Sequence, residues 1–210
     1  MMRDGLFALL ALALACAGDY GTSASGGGPA APPDTSLEPG LVFLRPAAGA
    51  PPLGELQVSF WAVKGESREV RLMYASVGGR PDSAEFARFR VDARSLVNRP
   101  DGTPIAPGDS ILISLTIVDT LRFMTDFQPQ GLQFSAARPA RLWLKFAEAD
   151  PDLNDDGVVN AADTTVLLSL RIWRQERPGD PWTSLASVVD TVNQEVEADV
   201  PGFTRYAVAY

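Results

Sequence analysis

From Leu41 onward, apolar and polar residues alternate with period two, the pattern of strands that bury one face. Leu56, Val58 and Phe60 share a face of a first strand, and Val70, Leu72 and Tyr74 share a face of a second. Between them, Lys64-Gly65-Glu66-Ser67 has the composition of a hairpin turn. A loop is expected over 77–83 and a third strand over 86–91, with Arg88, Arg90 and Arg94 on a solvated face. After a turn-rich connection from Asn98 to Asp109 comes the most apolar strand, Ser110 to Val118, with Ile111, Ile113, Leu115 and Ile117 on one face. Its other face carries Leu112 and Val118 beside Ser114 and Thr116, which predicts a central position. The chain turns at Pro129-Gln130-Gly131, and Leu142, Leu144 and Phe146 then point inward from another strand. A short helix is expected from Asp163 to Leu168, followed by strands at Leu170 to Arg174, from Trp182, through Val196, Ala198 and Val200, and in the closing Phe203 to Tyr210. Short strands at regular spacing with turns between them predict a mainly β fold. The expected architecture is an antiparallel β-sandwich over 41–210 with at most one short helix.

The N-terminal segment does not follow this pattern. Arg3 precedes an unbroken apolar run from Leu6 to Leu14, too short for a permanent membrane span but suited to a secretory leader over 1–15. Ala13-Leu14-Ala15-Cys16 resembles a bacterial lipoprotein signal, with Ala13 where that signal usually carries leucine. The resemblance implies that Cys16 is lipidated. Residues 16–40, rich in Gly, Pro, Ser, Thr and Ala, cannot bury a core and form a flexible tether, with or without an anchor. The expected location is secreted, in the cell envelope, and held to the membrane only through that lipid.

Composition narrows the chemistry. The 210 residues carry a formal charge of −8 and no run of basic residues, which argues against nucleic acid and anionic membrane surfaces. The chain has no histidine, so Ser-His-Asp and Cys-His catalysis and every His-ligated metal site are excluded. Cys16 is the one cysteine, so no intramolecular disulfide can form. The remaining catalytic option is a carboxylate-pair glycosidase. Glu66, Glu69 and Glu85 are available for it, but nothing in the sequence brings two of them together.

One segment has a specific chemical pattern. Five of the seventeen aspartates lie between Asp150 and Asp163. Across residues 152–163, oxygen side chains fall at positions 1, 3, 5, 9 and 12, and glycine falls at position 6. This is the order in which an EF-hand-type loop wraps calcium. Asp152, Asn154 and Asp156 would give side-chain oxygens, Val158 its carbonyl, Asn160 a direct or water-mediated contact, and Asp163 the closing carboxylate. Gly157 would allow the sharp turn, and apolar Val159 would tie the loop to a core. Asp155, at position 4, should point outward. The same residue types also favour a tight turn without any metal. The match at every position favours Ca2+.

Two further resemblances arise. The pattern D-x-N-x-D-G-x-V-N-x-x-D resembles one calcium repeat of the dockerin family, whose modules plug proteins into polysaccharide-degrading assemblies. A dockerin needs two repeats, and 177–181 carries no matching ligands. The last third resembles the β-sandwich domain of ankyrins, netrin receptors and many bacterial surface proteins. The matching segments are Gly131-Leu132-Gln133-Phe134, Pro139-Ala140-Arg141-Leu142, Leu170-Arg171-Ile172-Trp173, Trp182 and Gly202-Phe203-Thr204-Arg205-Tyr206-Ala207-Val208. That resemblance implies protein contacts. Some members cut themselves in a His-Phe-Ser triplet. Here the triplet is Gly202-Phe203-Thr204, without the histidine, and Phe203 is expected in the core.

The function expected from these residues is a non-enzymatic, surface-anchored, calcium-binding β-sandwich with a protein or glycan partner. The alternative is a dockerin-type docking module. For the anchor, Cys16→Ala is expected to move the protein from the membrane fraction to the soluble secreted fraction. Equal solubility of the two proteins on fractionation would remove the anchor.

Overall fold

Because a strand with one apolar face must bury it against another layer, the alternating segments stack as two antiparallel sheets in the computed structural model, which describes residues 40–76 and 84–210. The leader, Cys16, the tether up to residue 39 and the expected loop 77–83 lie outside the described residues. In chain order the strands are β1 (Gln57–Val63), β2 (Arg68–Met73), β3 (Glu85–Val91), β4 (Leu96–Asn98), β5 (Ser110–Asp119), β6 (Met124–Gln128), β7 (Gln133–Phe134) and β8 (Ala140–Lys145). The helix α1 (Ala161–Ser169) follows, then β9 (Arg171–Gln175), β10 (Thr183–Ser184), β11 (Ser187–Asp190), β12 (Glu195–Val200) and β13 (Arg205–Ala209). One sheet has the order β1-β5-β6-β13-β9-β10, the other β11-β12-β8-β3-β2, and β4 pairs with β7 in a small third sheet. The mainly β, antiparallel sandwich expected from the alternation is therefore the fold.

The inner faces follow the alternation. Phe60, Leu72, Ile113, Leu115, Leu142, Leu144, Val196 and Val208 are all buried in one core. β5 has a neighbour on each side, as expected of the most apolar strand, yet Leu112 and Val118 remain exposed because no layer covers that sheet's outer face there. Leu56 also departs from expectation: it precedes β1 and is 53% exposed.

The turn at 64–67 is a second correction. It does not close a hairpin. β1 pairs with β5 and β2 pairs with β3, so the turn arches from one sheet to the other. A tight turn sets only a local chain reversal, and here burial of both strands' apolar faces across the sandwich decides which partner each strand takes. Alternation does not predict β4, β7 and β11, which are two to four residues long, nor the five-residue β6.

The outer face of the five-stranded sheet is also less solvated than expected. Arg88 lies 4.4 Å from the Trp143 ring centroid and its guanidinium reaches Glu195 at 3.2 Å. Glu195 also takes Lys145 Nζ at 2.6 Å, and Arg141 meets Glu197 at 3.2 Å. Cross-strand register lines these charges up: Arg88 faces Trp143, and Trp143 faces Glu197. Opposite charges alternate across the strands, so the tryptophan is roofed by cation–π contacts instead of standing in water.

At one end of the sandwich a group of aromatic rings joins the layers. Phe89 of β3 meets Phe127 of β6 at 4.9 Å between ring centroids. Phe203 lies 5.1 Å from Phe127, 5.0 Å from Phe134 and 5.5 Å from Phe89. Phe203 is thus a core residue, as expected. Gly202 before it is required by packing, since a Cβ there would stand 2.8 Å from the Leu132 carbonyl oxygen. Phe127→Ala, which leaves a cavity at this junction, is expected to cost about 3–5 kcal/mol in denaturant unfolding. Val192→Ala, on a side chain 89% exposed, should change stability by less than about 0.5 kcal/mol.

Candidate metal centre

The loop 152–163 leaves the sandwich after β8 and returns to it through α1 and β9. Its bend is built from side chains that accept backbone hydrogen bonds. Asp156 N–H donates to Asp152 Oδ1 (3.2 Å) and Gly157 N–H to Asp152 Oδ2 (2.7 Å). Asp156 N–H also reaches Asn154 Oδ1 (3.2 Å), and Val158 N–H donates to Asp156 Oδ1 (2.9 Å). Asn154 Nδ2 donates to Asp156 Oδ2 at 2.9 Å. Gly157 adopts φ 82°, a left-handed backbone that costs glycine little. Asp155 has φ 59° and points away to Arg45, at 3.2 Å, in an exposed ion pair. Position 4 thus faces outward, as the pattern predicts.

Asp163 closes the loop on itself. Its Oδ1 accepts the N–H groups of Leu153 (2.8 Å) and Asn154 (3.2 Å), and its Oδ2 accepts that of Asn160 (2.7 Å). Asn160 Oδ1 accepts Ala162 N–H at 2.7 Å, so Asn160 and Asp163 form a capping box at the start of α1. These two residues carry a helix-start signal that the metal pattern overlays. Among the residues of α1 only Asp163 is buried, so the helix owes its place to this cap more than to apolar packing. The backbone donors, Asn160 N–H first, hold the Asp163 carboxyl below its ordinary value of 3.8 against the opposing effect of burial.

The loop is tied to the sandwich at Leu153. Its side chain packs against the core, and its carbonyl accepts the hydroxyl of Tyr210 at the end of the chain. Val159 does not serve this purpose. It is 62% exposed and Val158 is 60% exposed, contrary to the expected anchoring role of position 8. A single loop offers Val159 no facing loop to pack on, so the apolar tie falls to Leu153 and Leu167. A cavity of about 240 Å³ lies behind, lined by Leu44, Phe146, Leu153, Val159, Asp163 and Leu167 among others.

The donor set suits a hard, oxygen-seeking cation. A carboxylate has about four lone-pair sites. The bonds above occupy about two on Asp152 and two on Asp156, leaving oxygens to share. Asp163 has about three of its four in use, so it can add one contact through Oδ2 but cannot close bidentately without releasing a backbone N–H. The Val158 carbonyl accepts Asn160 Nδ2 at 2.9 Å, so the position 7 and position 9 groups bond to each other. Among the described residues no three His, Cys, Asp or Glu side chains gather in a ready metal-binding group. A calcium site here would draw on Asn154 and the Val158 carbonyl as well as the carboxylates.

No family model, curated protein or solved structure matches the chain. The chemistry of the loop therefore stands on its own residues. Glu69 and Glu85 both contact Arg71, at 2.8 and 3.3 Å. The hydroxyl of Thr204 is buried and donates to the Gln175 carbonyl.

Two outcomes follow from the cap. Asn160→Ala should cost about 1 kcal/mol, read as a shift in thermal midpoint. Since Asp163 titrates lower in the folded state than unfolded, its ionic contribution is present above pH 3.8 and is lost as pH falls through its folded value. Melts of wild type and Asp163→Asn should differ at neutral pH and converge below that range. A pH-independent difference would mean that the charge of Asp163 contributes nothing.

Proposed function

We propose that this chain is a non-enzymatic protein of the cell envelope, secreted and held by a lipid on Cys16, whose β-sandwich binds calcium through Asp152, Asn154, Asp156, Val158, Asn160 and Asp163. Calcium there orders the excursion between β8 and β9, and the ordered sandwich surface serves structural or protein/glycan contacts. One observation carries the reading: a full twelve-position oxygen pattern coincides with a bend in which Asp152, Asn154 and Asp156 are already oriented by backbone donors. Side chains held in this way need little reordering to meet an ion.

The docking-module alternative calls for a second loop and helix. α1 runs through Leu170 directly into β9, a strand flanked by β13 and β10, and among the described residues α1 is the one α-helix. These features favour a sandwich with one calcium loop over a paired-repeat module.

Without a cation, Asp152, Asp155, Asp156 and Asp163 repel one another, and only Asp155 has a cationic partner here, Arg45. An extracellular site can work at about 10⁻⁴ M or weaker. Free calcium at 100 times the dissociation constant would stabilise the fold by about 2.7 kcal/mol. Thermal melts in chelator and in about 10 mM calcium, 100 times a dissociation constant of about 10⁻⁴ M, should therefore separate by several degrees. Asp156→Ala should abolish the separation. Asp155→Asn, which keeps a side chain tolerant of positive φ, should preserve it. Identical melts together with no heat in a calcium titration would reduce the loop to an acidic turn.

A further inference from the structure

The cavity behind the acidic loop lies between walls that the fold holds in place. From Phe146 to Leu153 the chain carries Ala147, Ala149 and Pro151, which line the cavity and are too small to fill it. The wall on the sandwich side is Leu44 and Phe146, both buried. The wall on the loop side is Leu153 and Leu167, which are only partly buried against the core. Hydrogen bonds fix both. Asp150 N–H bonds the Arg45 carbonyl, Ala47 N–H bonds the Glu148 carbonyl, and the Tyr210 hydroxyl bonds the Leu153 carbonyl. α1 stands on its cap and has no fully buried apolar side chain, so it does not settle into the space. The remaining volume is about 240 Å³. An apolar protein cavity of about 150 Å³ already holds a benzene molecule.

The charge of the lining narrows the occupant. Asp150 and Asp163 line the cavity, and among the described residues no Lys or Arg does. Asp150 is exposed, and its Oδ1 takes the Asp152 N–H at 3.1 Å, so a carboxylate oxygen remains to share. Thr164 and Gln194, also exposed, add a hydroxyl and an amide to the lining. Both carboxylates would repel an anionic ligand, and the chain's net charge of −8 adds to that repulsion. A cation with a small apolar body matches both the walls and the rim.

We infer that this cavity binds a small primary amine, its aromatic or branched apolar body against Leu44, Phe146, Leu153 and Leu167 and its ammonium on Asp150. An ammonium has three donors and no acceptor, which suits a rim that offers carboxylate, hydroxyl and amide oxygens. Asp163 adds negative field from the floor of the loop. The inference goes beyond the calcium reading and does not rest on it, because Asp150 precedes the twelve-residue loop.

Methyl NMR spectra of the secreted Cys16→Ala chain in chelator test it, with benzylammonium, benzyl alcohol and benzoate as probes of nearly equal size. Benzylammonium should give saturable shifts at the methyls of Leu44, Ala147, Leu153 and Leu167. Benzyl alcohol should bind about tenfold more weakly, the loss of one charge-assisted contact, and benzoate should not bind. Asp150→Asn, which keeps an oxygen for the Asp152 N–H, should lower benzylammonium affinity to that of the alcohol. Ala147→Leu, which fills the space from an exposed position, should abolish binding of both with the circular dichroism spectrum unchanged. No benzylammonium shifts at these methyls, equal affinity for amine and alcohol, or binding that survives Ala147→Leu overturns the inference. So does binding that survives Asp150→Asn and is lost in Asp156→Ala, which would make the amine a counterion of the acidic loop. A separate calcium titration with no heat would overturn the calcium reading and leave this site standing.

Discussion

The contact between Phe89 and Phe127 is the point on which the sandwich depends. One ring comes from the five-stranded sheet and the other from the six-stranded sheet, and their centroids lie 4.9 Å apart. Phe203 packs against both, Phe134 brings in the small third sheet, and Tyr206 meets Phe127 edge-on at 5.6 Å. Rings of this size bury large areas and interlock at defined angles. They set the spacing between layers and the direction in which the last segment of the chain enters. Phe203 reaches the cluster because Gly202 lies flat on Leu132, and the Tyr206 hydroxyl donates back to the Gly202 carbonyl. β13 is then placed between β6 and β9, and Tyr210, the residue after it, holds Leu153 at the root of the acidic loop. The candidate site is thereby linked to the core through the chain's closing strand.

The two outer faces answer to different forces. On the five-stranded sheet, Trp143 is sheltered by Arg88 and Arg141, whose charges are matched by Glu195 and Glu197. Glu195 is itself nearly buried and holds two cations, Arg88 and Lys145. Covering that face would take these paired charges out of water. On the β1 side, Trp61 and its cross-strand neighbour Leu112 are both exposed. The asymmetry gives the molecule one face of paired charges and one face with exposed apolar surface, at whose edge β1 pairs, among the described residues, with β5 alone.

Much of this was legible residue by residue. Alternation located β1, β2, β3, β5, β8, β12 and β13 and gave the inward sets Leu142, Leu144 and Val196, Ala198, Val200, because a strand's side chains must alternate whatever its neighbours are. The loop's oxygen order and the outward direction of Asp155 were readable for the same reason: turn geometry is local. Val159 does not anchor the loop because a tie to the core needs an apolar surface facing it, which is a property of the fold and not of the twelve residues. The capping box of Asn160 and Asp163 was present in the spacing but hidden beneath the metal pattern, since both uses call for an oxygen side chain three residues before an acid.

By itself the sequence determined what most of the longer segments are: which residues form those strands, which face of each is apolar, where the chain reverses, and which oxygens the acidic loop can offer. Those features arise from backbone geometry and side-chain chemistry within a few residues. Only the tertiary structure decided which strands pair. The turn at 64–67 reads the same whether it closes a hairpin or arches between layers, and the choice depends on burying Phe60 and Leu72 from opposite sheets in one core. It also decided that Arg88 and Arg141 roof a tryptophan, that Tyr210 holds the loop, and that β1 is, among the described residues, an edge strand of its sheet. Each of these joins residues far apart in the chain, and no local pattern records a contact whose partner is supplied by the fold.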